Sequence, residues 1–378
     1  MDFTFSEEQQ QFADALRRYL GERYGFDARQ AIVGSAAGVS AGQWRAFAEL
    51  GLTALPVPEA FGGLGGGAVE MLVAMQALGA ALVVEPYWAT AVGIEALRIA
   101  ASAENTAAAA LLERAAGGDA VLAVAFDEPG ARYELDAIDT RAEPDGDGFR
   151  LDGTKAVVRH GAQAHAWIVP ARQPDGAIAL FVVERGAAGA AADDYRTIDG
   201  QRAATLRFAA TPARRIVDGA HGAAALERIA DYGIVLLCAE ALGALDALNR
   251  ATLDYTKTRE QFGAPIARFQ VLQHRMVDML IHTEQARSLT YLAAVRYADD
   301  DADVRRRAVS AAKARVGQAA RFVGQQAIQL HGGMGMTQEV AAAHLFKRLA
   351  IIETTLGDVD HHLARFAALP SFFEYDAV

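Results

Sequence analysis

A change of hydrophobic period in mid-chain limits what this sequence can fold into more than any other feature. Up to residue 118 apolar residues recur at helical spacing. From about 121 to 217 they fall into short β-type runs, and from about 219 helical spacing returns. Phe12, Leu16 and Leu20 mark the first helical face, behind a start signal of Ser6, Glu8 and Gln9. Trp44, Phe47 and Leu50 mark a second face, which ends at Gly51. A breaker-rich loop follows at 56–67, then helical patterns over 69–80, 89–101 and 106–116, closed by Gly117 and Gly118.

The middle runs are 121–126, 149–151, 156–159, 166–169, 178–183 and 204–208. The segments 144–148 and 174–176, rich in Pro, Asp and Gly, are turn signals between them. Short strands at this spacing suggest a β-barrel or sandwich rather than a parallel sheet. Four long helices are then expected at 223–257, 269–298, 303–331 and 340–368, joined by short connections as in an antiparallel bundle. The expected fold class is multi-domain α+β. It comprises an N-terminal α-helical domain (1–118), a middle β-barrel or sandwich domain (119–218) and a C-terminal four-helix bundle (219–378).

Composition narrows the function. The 378 residues are 52% hydrophobic, enough for two or three packed cores. A net charge of −11 argues against nucleic acid as a partner. No run reaches about 18 uninterrupted apolar residues, so no membrane span is expected. The N-terminus lacks a signal-peptide pattern. The single cysteine, Cys238, excludes a disulfide framework and fits a reducing cytoplasm.

Two segments stand out. Tyr255 to Ile266, followed by Phe269-Gln270 and Gln273-His274, reads as a basic helix end with a Phe-Gly-x-Pro exit. On its own it equally fits a charged helix terminus between two bundle helices. Gln329 to Glu339 carries Gly332, Gly333 and Gly335, which permit positive φ and close backbone approach, as a loop cradling a pyrophosphate needs. It follows a helix, so it is not a Rossmann fingerprint. The plain alternative is a helix C-cap.

Together these runs resemble the two signatures of the acyl-CoA dehydrogenase family, and the likeness extends over nearly the whole chain. Met1-Asp2-Phe3 with Ser6 to Gln9 is similar to the family's start, and Pro58 to Gly65 to its first-domain loop. Glu128-Pro129-Gly130-Ala131 resembles its middle-domain flavin loop, and Leu151 to Lys155 its hairpin. The run Leu356 to Phe366 looks most like the small subunit of the pimeloyl-CoA dehydrogenase group. The resemblance implies an FAD-dependent α,β-desaturation of an acyl-CoA thioester, with a carboxylate base and an electron-transfer protein as possible acceptor. It also implies a dimer-of-dimers tetramer. Arg259, Phe262, Gln329, Gly332 and Gly333 match the positions that reach the neighbouring subunit's FAD.

The base is missing where the family puts it. Counting 25 residues past His331 reaches Leu356, and the alternative position on the first bundle helix is Gly233. Neither residue takes a proton. Val157, Arg159 and Asp127 replace the family's flavin-facing Trp, Thr and Thr. Two readings follow. In one, the chain is an accessory subunit that completes the FAD site of a second acyl-CoA dehydrogenase chain. In the other, it is a self-sufficient homo-oligomer with a relocated base, Glu240, two turns beyond Gly233; Asp231, Glu353 and Asp358 rank behind it. Glu240 also reads as an interhelical ion-pair partner. Ser310-Ala311-Ala312-Lys313 lacks the companion motifs of a Ser-x-x-Lys enzyme. Asp358, His361 and His362 read as a helix-surface cluster, so no metal site is expected.

Overall fold

The computed structural model describes residues 5–101 and 106–370. Met1 to Phe3 of the family-like start and residues 371–378 of the expected bundle lie outside the described residues. The N-terminal region contains α1 (Glu7–Arg23), α2 (Phe26–Gly34), α3 (Ala41–Glu49), α4 (Ala68–Ala80), α5 (Tyr87–Ala100) and α6 (Thr106–Ala116). Ser6 caps α1 through a capping box with Gln9, which satisfies two orphan backbone donors. The short helix α2 carries the buried Arg29 and has no apolar stripe to announce it in the sequence.

The middle domain holds β1 (Leu122–Val124), β2 (Arg141–Asp145), β3 (Gly148–Arg159), β4 (Ala166–Arg172), β5 (Ile178–Glu184), β6 (Ala190–Arg196) and β7 (Arg202–Val217). Pairings β4–β2–β3–β7–β5 return to β4, closing a five-stranded barrel; β1 flanks β4 and β6 flanks β7. Trp167, Phe181, Leu206 and Phe208 fill the interior. Two expected strands, 149–151 and 156–159, are one strand, β3, with bulges between Leu151 and Gly153 and between Lys155 and Val158. No apolar alternation announces β2 or β6, because both are mostly exposed and lack an apolar face. Their place comes from pairing with β3 and β7.

The C-terminal region contains α7 (Gly222–Thr258), the small pair β8 (Glu260–Gln261) and β9 (Ala264–Pro265), then α8 (Gln270–Arg296), α9 (Ala302–His331), α10 (Ala341–Thr354) and α11 (Val359–Ala367). The expected last helix, 340–368, is therefore two helices. Leu356 (φ 55°) and Gly357 (φ 107°) adopt left-handed backbone between them, and Asp358 recaps the chain by accepting from the His361 N–H. The buried Lys313 Nζ, reaching over from α9, donates to the Glu353 carbonyl at 2.8 Å and to that of Gly357.

Glycines let the first and last regions touch. A Cβ at Gly79 on α4 would collide with the Glu240 carbonyl, and one at Gly243 on α7 with the Gln76 carbonyl. The two helices thus cross backbone to backbone. Beside that crossing, Arg348 of α10 donates from Nε and Nη2 to the two Glu240 oxygens at 2.6 and 2.7 Å. Its Nη1 donates to Asp199, in the β6–β7 turn, at 2.8 Å. Arg29 bonds the Leu82 and Asp199 carbonyls at 2.9 and 2.8 Å and meets His344 at 3.3 Å. Two buried arginines thus join all three regions.

Two measurements check this picture. Arg348→Met leaves Glu240 and Asp199 buried without their cation, so denaturant unfolding should show a loss of about 3–5 kcal/mol. Breaking the exposed Arg17–Asp14 pair should cost well under about 1 kcal/mol. Burial holds the Lys313 pKa down to about 8, against roughly 10.4 when unfolded. Above pH 8 the unfolded chain binds this proton more tightly than the folded one. Stability should therefore gain a contribution rising by up to about 1.4 kcal/mol per pH unit between pH 8 and the unfolded value. That contribution should be absent from the pH–stability curve of Lys313→Met.

Candidate functional site

The two sequence signatures meet at one end of the bundle. Tyr255, near the end of α7, stacks on His331, the last residue of α9, with centroids 4.5 Å apart. Arg259 caps α7, its N–H donating to the Tyr255 carbonyl at 2.8 Å. Its guanidinium is exposed and has no carboxylate within ion-pair distance among the described residues. Phe262 and Gly263 (φ 56° and 76°) turn the β8–β9 hairpin. This conformation usually selects Asn-Gly and is disfavoured for an aromatic residue. It holds the Phe262 ring 93% exposed, edge-on to Phe269 at 6.0 Å.

Gln329 is exposed on the last turn of α9. Gly332 (φ 59°) and Gly333 follow it with open space where a Cβ would point. An unpaired guanidinium, an exposed ring and bare glycine backbone suit a pyrophosphate-bearing cofactor such as FAD. All five side chains or backbones face outward, so such a cofactor would be held from outside this chain's own domains.

The inward half, between barrel and bundle, has a different character. The bulge in β3 puts Val157 at φ 49°, and His160 follows at φ 53°. Between them Arg159 reaches into the cleft and donates through Nη2 to Thr355 Oγ1. It lies 6.0 Å from the Trp88 ring centroid, and its buried Nη1 has no hydrogen-bond partner. Burial lowers the Arg159 pKa. Burial also pushes the Asp127 carboxyl up to about 6, against the pull of Arg159 and Lys155.

Neither base position can be used as it stands. Trp88 Nε1 donates to the Gly233 carbonyl at 3.0 Å. A Cβ on Gly233 would lie 3.2 Å from both Trp88 and Leu356. His362 Nε2 lies 2.9 Å from the Leu356 carbonyl and fixes that turn. The space left here is about 30 Å³, bordered by Asp127, Tyr133, Asp231, Leu356 and Arg365. The wider groove outside, about 630 Å³, is lined by Tyr133, Glu227, Arg306 and Arg365. In it Glu227 holds Arg306 and Arg365, and behind them Asp231 holds Arg305 and Arg365.

Glu240, the relocated base expected from the sequence, lies beside the crossing of α4 and α7. Both its oxygens are engaged by Arg348 in a buried bidentate pair, and an acceptor so occupied is a poor general base. The lower-ranked carboxylates are engaged too: Asp231 by two arginines, Glu353 by Arg321 at 2.9 Å, and Asp358 by its capping bond. Sequence reasoning passed over Trp88, Thr355 and Arg348. A Trp inside a helical stripe and an Arg on a bundle helix carry no signal until their partners are known. The outward residues fit FAD, and the inward ones do not.

Family models for the acyl-CoA dehydrogenase N-terminal, middle and C-terminal domains match residues 6–119, 123–210 and 220–368. Acyl-CoA dehydrogenase FadE27 of Mycobacterium tuberculosis is 30% identical over 338 residues, covering 85% of this chain and 86% of that protein. Acyl-CoA dehydrogenase IpdE2 of the same organism is 28% identical, covering 91% and 92%. Among solved structures, a Tcur3481–Tcur3483 steroid ACAD variant superposes with a TM-score of 0.88 at 31% identity, covering 96% of this chain and 97% of that one. The ChsE4–ChsE5 complex of Mycobacterium tuberculosis gives 0.89 at 27%, covering 98% and 100%. With all three domains matched in order, this chain belongs to the acyl-CoA dehydrogenase family of FAD-dependent oxidoreductases.

Proposed function

We propose that this chain is an accessory subunit of a heteromeric acyl-CoA dehydrogenase, and that it completes the FAD site of a partner dehydrogenase chain. The observation that carries this reading is a division within one molecule. Arg259, Phe262, Gln329, Gly332 and Gly333 face outward, with no ion pair on Arg259 among the described residues, while the base positions are Leu356 and a crowded Gly233. Two structural relatives, the ChsE4–ChsE5 complex and Tcur3481–Tcur3483, are themselves named as pairs, which favours a second chain here as well.

In this reading the reaction is α,β-desaturation of an acyl-CoA, with FAD as the hydride acceptor. This chain supplies position and charge. Arg259 would neutralise the pyrophosphate through charge-assisted hydrogen bonds, and Phe262 would pack against the cofactor and exclude water. The α-proton would leave to a Glu of the partner, since a thioester α-proton needs a positioned base. An electron-transfer protein fits as acceptor. The role is that of the small subunit in the pimeloyl-CoA dehydrogenase group, which the C-terminal run resembles. A cytoplasmic setting suits the single buried thiol of Cys238. No helix among the described residues is long and apolar enough to cross a membrane.

The exposed apolar residues Val277, Leu280 and Ile281 on α8 form one helical stripe and offer a surface for a dimer-of-dimers assembly.

Two experiments test the proposal. The chain purified alone should desaturate acyl-CoA poorly or not at all. Co-expression with a Glu-bearing family chain should restore turnover in a complex that sediments as a tetramer. Full turnover by the chain alone would defeat the proposal. In the active complex, Arg259→Ala should weaken FAD retention by about 10–100-fold, the loss of a charge-assisted contact of roughly 1.5–3 kcal/mol. Unchanged flavin retention would make Arg259 a surface cation only.

A further inference from the structure

The cleft between barrel and bundle is closed by side chains that bind one another, and Arg159 is the one that spans it. Its place is set by backbone. The second bulge in β3 breaks the in–out alternation, so that Lys155 and Val158 are both buried three residues apart. The left-handed Val157 and His160 bracket the residue that is swung off the barrel. A β-branched residue at positive φ is strained and needs the surroundings to hold it.

What Arg159 meets is the bundle's turn. It donates to Thr355, immediately before Leu356, and lies over Trp88, which is itself tied to the Gly233 carbonyl. Leu356 and Trp88 then meet at Gly233. No carboxylate stands within ion-pair distance of Arg159 among the described residues. Asp199 and Glu240, the nearby acids that act on it electrostatically, are already bonded to Arg348. Asp127 supplies the remaining negative field from the barrel side.

A guanidinium without a counter-ion is a costly occupant of such a place. The void left beside this contact, against Leu356 and Asp127, is about 30 Å³, room for about one water, whereas small-molecule and cofactor pockets run to about 300 Å³ or more.

We propose that Arg159 is a built-in plug that takes the space of a cofactor ring in this chain's own cleft and latches the β-barrel to the Thr355–Leu356 turn, so that the chain carries no flavin of its own. This deepens the accessory-subunit reading and rests on it for the one flavin expected per pair of chains. The closure itself is a property of this chain and can be tested without a partner.

The purified full chain is titrated with FAD, following flavin fluorescence polarisation, and its 450 nm absorbance is read after desalting. The parent should retain less than about a tenth of an equivalent. Arg159→Thr, and the double variant Arg159→Thr/Leu356→Gly should the single change leave Leu356 in the way, should bind FAD at least ten times more tightly. Arg159→Met keeps the length without the charge; it should remain flavin-free and fold if the space-filling role is right. Near-stoichiometric flavin on the parent, or no gain in either opened variant, would overturn the plug. In the complex, two flavins per pair would overturn it while leaving the Arg259 effect intact. One flavin per pair, indifferent to Arg259→Ala, would uphold the plug and sink the accessory role.

Discussion

The buried Arg348 guanidinium is the contact on which the rest of the molecule depends. One planar fork holds Glu240 of the long helix α7 and Asp199 of the barrel turn, while Arg29 of the N-terminal region bonds the Asp199 backbone. Three regions with separate hydrophobic periodicities are thereby fixed in one relative position. Ion pairs of this burial are weak as a net source of stability but strict in geometry, because every donor must find its acceptor or be left uncompensated. The backbone crossing at Gly79 and Gly243 sets the distance at which the fork can close.

That junction also decides which chemistry the cleft can perform. It engages both carboxylate oxygens of Glu240, two turns beyond Gly233, an arrangement poorly suited to a general base. It holds the barrel against the bundle closely enough for Arg159 to reach Thr355. The cleft that a catalytic family member needs open is here packed with Trp88, Leu356 and a guanidinium. At the far end of α7 the chain makes no such closure. The Tyr255–His331 stack brings the two signature segments together and leaves their functional groups facing outward. Closure on one side and availability on the other are the division on which the accessory-subunit proposal rests.

Electrostatics support the same division. Around the cleft Glu128 is matched with Lys155, Asp231 with Arg305 and Arg365, and Glu227 with Arg306 and Arg365, while Arg159 has no carboxylate within ion-pair distance among the described residues. Arg259 is unmatched and exposed, the condition in which a cation retains its affinity for a phosphate.

The sequence by itself determined the order of regions and the family, and it singled out the two signature segments that lie together at the end of the bundle. Those features are written in local periodicity, in helix-end chemistry and in contiguous signatures such as Tyr255 to Ile266. It also placed Leu356 and Gly233 where a base was expected. The break between α10 and α11 was not readable, since the carbonyls flanking the left-handed Leu356 turn are held by Lys313 from α9, about forty residues away, with His362 of α11 bonding the Leu356 carbonyl itself. Strands β2 and β6 have no apolar alternation and exist through their pairing with β3 and β7. The fate of Glu240, the plugging position of Arg159 and the crowding at Gly233 were decided only in three dimensions. Each depends on partners more than 100 residues away in the chain, and no local pattern records which distant side chain will arrive at a buried charge.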